Sequence, residues 1–170
     1  MSAVKQSPQA KDTLVAATGD HSFWLVNFSN EERYLKGTVP FYIYVPPQVV
    51  NKLKLDRELF VSNYGSHMDI WPTLYNLSLS DSEYKTFGQN LFQKSNISFS
   101  INDSRLITSQ SSAVQLADKG NSQFLDNKNN LLTETSSANE THLLLDKKFR
   151  SLMGALDSYF KFEKENHKSK

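Results

Sequence analysis

The chain contains no cysteine, which excludes disulfides, thiolate metal sites and a cysteine nucleophile. Glycine is scarce as well, and the six present assemble no glycine-rich phosphate loop. No hydrolytic Ser-His-Asp triad can be assembled from the sequence pattern either. Neither sign of charge dominates: 19 Lys and Arg against 18 Asp and Glu leave a net charge of +1, which gives no electrostatic footprint for nucleic acid. No apolar run approaches the roughly 20 residues that cross a bilayer, and residues 1–10 lack the apolar centre of a signal peptide. Hydrophobic residues make up 38% of the chain, little for a sheet covered on both faces, so the sequence reads as part of a larger core.

What is present begins with Leu14-Val15-Ala16-Ala17-Thr18-Gly19-Asp20-His21. Small and β-branched residues bounded by a turn former predict a buried strand. In open, parallel α/β sheets ligands gather at the carboxyl ends of such strands, and Asp20 and His21 stand there. Adjacent strand side chains point to opposite faces, so the two converge on one ligand only where the chain bends, and Gly19 permits the bend. A carboxylate oxygen and a neutral imidazole nitrogen suit zinc or manganese, with calcium or magnesium as alternatives. The plainer reading of the pair is a helix cap beside a surface histidine. Thr18 is a hydroxyl close by, but its strand position favours a structural role.

Residues 22–38 form a long connection carrying Phe23, Trp24, Phe28 and Tyr34 among Glu31, Glu32, Arg33 and Lys36. Such a loop either lines a substrate entrance or folds over a small core of its own. Val39-Pro40-Phe41-Tyr42-Ile43-Tyr44-Val45 predicts the next strand, closed by Pro46-Pro47. Asp69 is placed to cap a helix over 70–79, with Pro72 in its first turn and Ile70, Leu74 and Leu77 as the buried stripe. His67 precedes that helix. It reads either as a substrate-side or metal-side imidazole or as a packing residue.

Four segments taken in order resemble one family. Residues 12–21, the strand at 39–46, Ser66-His67-Met68-Asp69-Ile70-Trp71-Pro72-Thr73-Leu74 and Phe87-Gly88-Gln89-Asn90-Leu91-Phe92 resemble the alkaline phosphatase/sulfatase superfamily. The likeness is greatest to its lipoteichoic acid synthase and phosphoethanolamine transferase branch, and it covers roughly residues 10 to 92.

The resemblance implies an α/β fold with a partial αβα core over residues 1–92; a minor antiparallel β subdomain and a C-terminal helix are expected over 93–170 from the sequence pattern, and the family's fold also has a minor antiparallel sheet after its main core. It implies Asp20 and His21 as metal ligands; His67 is a substrate-binding candidate from its place before the helix N-terminus, with packing or capping as its other reading. The nucleophile, a threonine, serine or modified cysteine, is then expected in the N-terminal half of the same domain, upstream of these residues. The expected partners are that half and an anionic phospholipid headgroup or another phosphate or sulfate ester, with no nucleic acid. The expected activity is transfer of a phosphoglycerol or phosphoethanolamine group to a cell-envelope acceptor by a membrane-anchored enzyme with its catalytic domain outside the cytoplasm. The alternatives are a sulfatase acting on soluble esters and an inactive remnant or anion-binding module.

Beyond residue 92 the reading rests on pattern alone. Ile97-Ser98-Phe99-Ser100-Ile101 and Leu106-Ile107-Thr108 flank the turn former Asn102-Asp103-Ser104. Strands are expected near 97–101, 105–109 and 112–116, with a fourth near 122–125, although disorder competes over 117–140. Leu144, Phe149, Leu152, Leu156, Tyr159 and Phe160 predict an amphipathic helix over 140–165, capped by Asn139 or Ser137.

Overall fold

The computed structural model describes residues 2–21, 27–29, 32, 35–79, 82–95, 98–108, 112–116, 121–128 and 131–168. It divides into two compact units, Met1–Ser98 and Phe99–Lys170. Both helices and strands are present, so the fold is mixed α/β, with a two-stranded sheet, a five-stranded antiparallel sheet and a C-terminal helix.

The first unit opens with a short helix, α1 (Ser2–Gln6), and a 3-10 turn at Pro8–Lys11, where proline sets the backbone angle but removes an amide donor. Strand β1 (Val15–Thr18) pairs with β2 (Phe41–Tyr44), Val15 opposite Tyr44 and Thr18 opposite Phe41. The pairing is antiparallel, which corrects the expectation of an open parallel sheet. A parallel pair needs a crossover, usually a helix packed on the sheet. Among the described residues the link from β1 to β2 holds only the 3-10 turn Leu35–Gly37, and β2 returns along β1. β1 is also more exposed than a buried strand, with Ala16, Ala17 and Thr18 open to solvent. Tyr44 donates its hydroxyl to the Ala10 carbonyl at 3.1 Å, and Gln48 reaches the Lys11 carbonyl, so the N-terminal turn is tied to the hairpin.

Helices α2 (Pro47–Leu53), α3 (Arg57–Ser62) and α4 (Ile70–Ser78) follow. Pro47 starts α2, where a missing amide is harmless. Asp56 starts α3 by accepting from the amides of Glu58 and Leu59 at 2.9 and 3.2 Å. Phe60 of α3 stacks on Phe92, ring centroids 4.7 Å apart, and meets Phe41 of β2 at 5.8 Å, so a small aromatic core links sheet, helix and the segment after α4.

The second unit is a meander in the order β3 (Phe99–Ile101), β4 (Arg105–Thr108), β5 (Ser112–Leu116), β6 (Ser122–Lys128) and β7 (Leu131–Glu134). Every pairing is antiparallel. The expected turn at 102–104 forms because Asn102 Oδ1 accepts from the amides of Ser104 and Arg105 at 3.0 and 2.7 Å. Leu106 and Ile107 on β4 and Ala113 and Val114 on β5 are all buried, so both faces of the central strands are covered. The fourth strand runs to Lys128, and β7 was not anticipated: residues 122–128 and 131–134 are strand where disorder competed.

Helix α5 (Glu140–Lys168) packs on β5. Asn139 caps it, its side chain accepting from the His142 amide at 2.9 Å. The buried face is carried by His142, Leu145 and Phe149, at steps of three and four. Leu144, Tyr159 and Phe160, expected on that stripe, are exposed. Each helical residue turns about 100°, so Leu145, one position on from Leu144, is the residue that faces the sheet.

Candidate functional site

The three residues singled out for chemistry lie in the first unit, and the structure links them. β1 ends at Thr18, and Gly19 turns the chain with its α-carbon packed toward Val39: an added Cβ would stand 3.4 Å from Val39 Cβ and Cγ1. Asp20 and His21 follow at once. Asp20 Oδ1 accepts from the His21 amide at 3.0 Å, and Asp20 Oδ2 stands 3.7 Å from His21 Nε2. Two ligands about 2.1 Å from a tetrahedral zinc are about 3.4 Å apart, so this separation fits two donors sharing one cation. Both side chains are largely exposed, His21 at 73% and Asp20 at 90%. Among the described residues no third His, Asp or Glu completes a metal-binding group with them.

His67 comes from 48 residues away and sets its Nε2 2.8 Å from the Gly19 carbonyl oxygen. A carbonyl only accepts, so Nε2 carries the proton in this contact. That removes Nε2 from metal ligation. Thr18 Oγ1 donates to the same carbonyl at 3.1 Å, which gives this hydroxyl a structural partner.

His67 begins a 3-10 turn (His67–Asp69) that leads into α4. Asp69, expected to cap α4, reaches backward instead: its Oδ2 accepts from the Ser66 amide at 2.6 Å and its Oδ1 from the Gln89 amide at 2.8 Å. It is 4% exposed. The fully buried Thr73 donates to the Asp69 carbonyl at 2.7 Å and accepts from the Leu91 amide at 3.0 Å. Gly88 passes so close that an added Cβ would sit 2.0 Å from the Met68 carbonyl oxygen. The two segments around Asp69 and Gly88 are therefore one interlocked unit. Asn63 adds to it, its amide donating to the Leu91 carbonyl at 2.9 Å. No protein-family model, curated protein or solved structure matches this chain.

Burial holds the Asp69 carboxyl above its ordinary value of 3.8, against the two backbone donors, which pull the other way. An acid whose folded value is raised contributes stability that is complete below the unfolded value and is lost as pH rises through the folded one. The stability advantage of the native chain over Asp69→Asn is therefore expected to be larger near pH 4 than near pH 7. Urea unfolding of both chains at the two pH values checks this; an advantage that grows toward pH 7 contradicts it.

Several residues that shape the site gave no signal in the sequence. The Gly19 carbonyl and the Gln89 and Leu91 amides are backbone groups, which every residue but proline carries, so composition cannot mark them. Phe23, Trp24, Glu31, Arg33 and Tyr34, read as a possible substrate entrance, lie outside the described residues. No helix of the described residues is long and apolar enough to cross a membrane.

Proposed function

We propose that these residues form the C-terminal part of a sulfatase-like, metal-dependent enzyme with an alkaline-phosphatase-type core, transferring a phosphoglycerol or phosphoethanolamine group to a cell-envelope acceptor. One observation carries this reading: the four segments behind the family resemblance, scattered from residue 12 to residue 92, are joined to one another in space. β1 pairs with β2, His67 bonds Gly19 directly before Asp20, and the Asp69 and Thr73 side chains hold the amides of Gln89 and Leu91.

Asp20 supplies a hard oxygen donor and His21 a neutral nitrogen donor for zinc or manganese. When bound, the cation polarises the ester oxygen and lowers the pKa of an attacking hydroxyl. Exposure of the pair leaves room for further ligands and for an anionic headgroup. His67, exposed beside the Gly19 peptide, is the substrate-side imidazole of this reading. The attacking hydroxyl belongs to the N-terminal half of the domain, upstream of these residues. Two ligands alone bind metal weakly, so these residues by themselves are expected to turn nothing over.

The test is turnover by the full-length protein that carries these residues, assayed with zinc or manganese on a phosphodiester and on an aryl sulfate. Asp20→Ala and His21→Ala are each expected to abolish phosphodiester turnover. Retained turnover in both ends the metal assignment, and a preference for the sulfate ester moves the reading to a sulfatase.

A further inference from the structure

We infer that His67 is a positioning residue: by donating Nε2–H to the Gly19 carbonyl, it fixes the peptide from which Asp20 and His21 project. The carbonyl of Gly19 and the amide of Asp20 share one rigid plane. Glycine has the widest backbone freedom of any residue, and Asp20 and His21 after it are exposed, so an untied Gly19 would let the pair sample many orientations. Two donors remove that freedom. Thr18 Oγ1 at 3.1 Å and His67 Nε2 at 2.8 Å fill both lone pairs of the one carbonyl. Thr18 is a neighbour in sequence and moves with the strand end, whereas His67 ties the turn to a separate body.

That body is itself held. His67 lies in the turn whose ends are Ser66 and Asp69, and Asp69 binds both the Ser66 and the Gln89 amides. Orientation thus passes from the Gly88 contact through Asp69 and His67 to the Gly19 peptide. This gives a physical reason for a histidine at the entrance of α4 that neither packing nor capping explains, since His67 is exposed and the capping contacts are made by Ser66 and Asp69. It also fixes the neutral ring as the Nε2–H tautomer, with the lone pair on Nδ1.

The metal readout below rests on the function proposed above; the backbone readout does not. In the 15N-labelled chain at pH 8, long-range imidazole spectra are expected to show His67 as the Nε2–H tautomer. His67→Ala is expected to raise the mobility of the Asp20 and His21 amides in 15N relaxation, while the urea midpoint of the unit stays close to the native one. His67→Gln, whose amide nitrogen can donate at a similar reach, is expected to restore the order. His67→Asn, one carbon shorter, is not. Zinc binding to the full-length protein that carries these residues, followed by competition with a chromogenic chelator, is expected to weaken about tenfold in the alanine variant and to recover in the glutamine variant.

An Nδ1–H tautomer, or amides of Asp20 and His21 that are equally ordered in His67→Ala, overturns the positioning role whatever zinc does. A full-length protein carrying these residues that takes up no zinc, with the mobility change intact, counts against the metal assignment and supports the positioning role.

Discussion

Gly88→Ala is expected to destabilise the first unit by about 3–5 kcal/mol, a large share of what holds a small domain together. The added Cβ would lie 2.0 Å from the Met68 carbonyl oxygen, 2.5 Å from the Met68 carbonyl carbon and 2.9 Å from the Asp69 amide nitrogen. All three are backbone atoms, so no side chain can swing aside to make room. Relief requires the segment around Gly88 to withdraw from the turn at His67–Asp69. Withdrawal breaks the Gln89 amide bond to Asp69 and endangers the Leu91 amide bond to Thr73, leaving a buried carboxylate oxygen without its donor. Forced overpacking contributes about 1–3 kcal/mol and the orphaned buried group a similar amount. Urea unfolding gives the free energy, and hydrogen exchange at the Gln89 and Leu91 amides locates it. A loss below about 1 kcal/mol would mean that the two segments do not approach as closely as described. Because His67 starts the same turn, order at Asp20 and His21 should fall with stability in this variant, unlike in His67→Ala.

Phe149→Ala is expected to cost the second unit about 3–5 kcal/mol. Phe149 is fully buried on the face of α5 that also carries Leu145 and His142, at 3% and 1% exposure. Removing the ring leaves a cavity under a helix that is anchored at its start by Asn139 and by the bond between His142 Nε2 and the Leu125 carbonyl, 3.2 Å long. Those polar anchors fix the helix end but bury little apolar surface, so they do not offset the loss. Phe149→Leu, which keeps most of the volume, should cost under about 1.5 kcal/mol. Hydrogen exchange at the Val114 and Leu125 amides, both in the buried strands, reports the two variants. Equal protection in the native and alanine chains would show that α5 contributes little to holding the sheet.

Local chemistry made some of this legible in advance. Asn102 ahead of Asp103 and Ser104 marked a turn because its side chain caps its own backbone, and the alternation on either side marked β3 and β4. Asn139 marked the start of α5 for the same kind of reason. The stripe on α5 was placed one residue off at Leu144, because apolar residues at 143, 144 and 145 leave the phase of a helix undetermined until a sheet chooses a face. Strand β7 was missed: Leu131-Leu132-Thr133-Glu134 is too short and too mixed to declare itself without β6 beside it.

For the candidate site the division is similar. Asp20 and His21 stood out as a carboxylate and an imidazole after a strand and a glycine, and their side chains stand 3.7 Å apart. The direction of the sheet did not stand out, since a strand sequence states which residues extend and not which way the neighbour runs; the antiparallel pairing depends on how the link between β1 and β2 closes.

From sequence alone, then, came what depends on nearest neighbours: where most of the chain extends, coils and turns, and which side chains carry the donor groups that the proposal uses. Tertiary structure alone decided that His67 meets the Gly19 carbonyl, that Asp69 turns away from its helix toward Gln89, and that Gly88 must be glycine. Those outcomes rest on backbone groups and close approaches between distant segments. Backbone amides and carbonyls are the same at nearly every position, so only folding tells which of them are used.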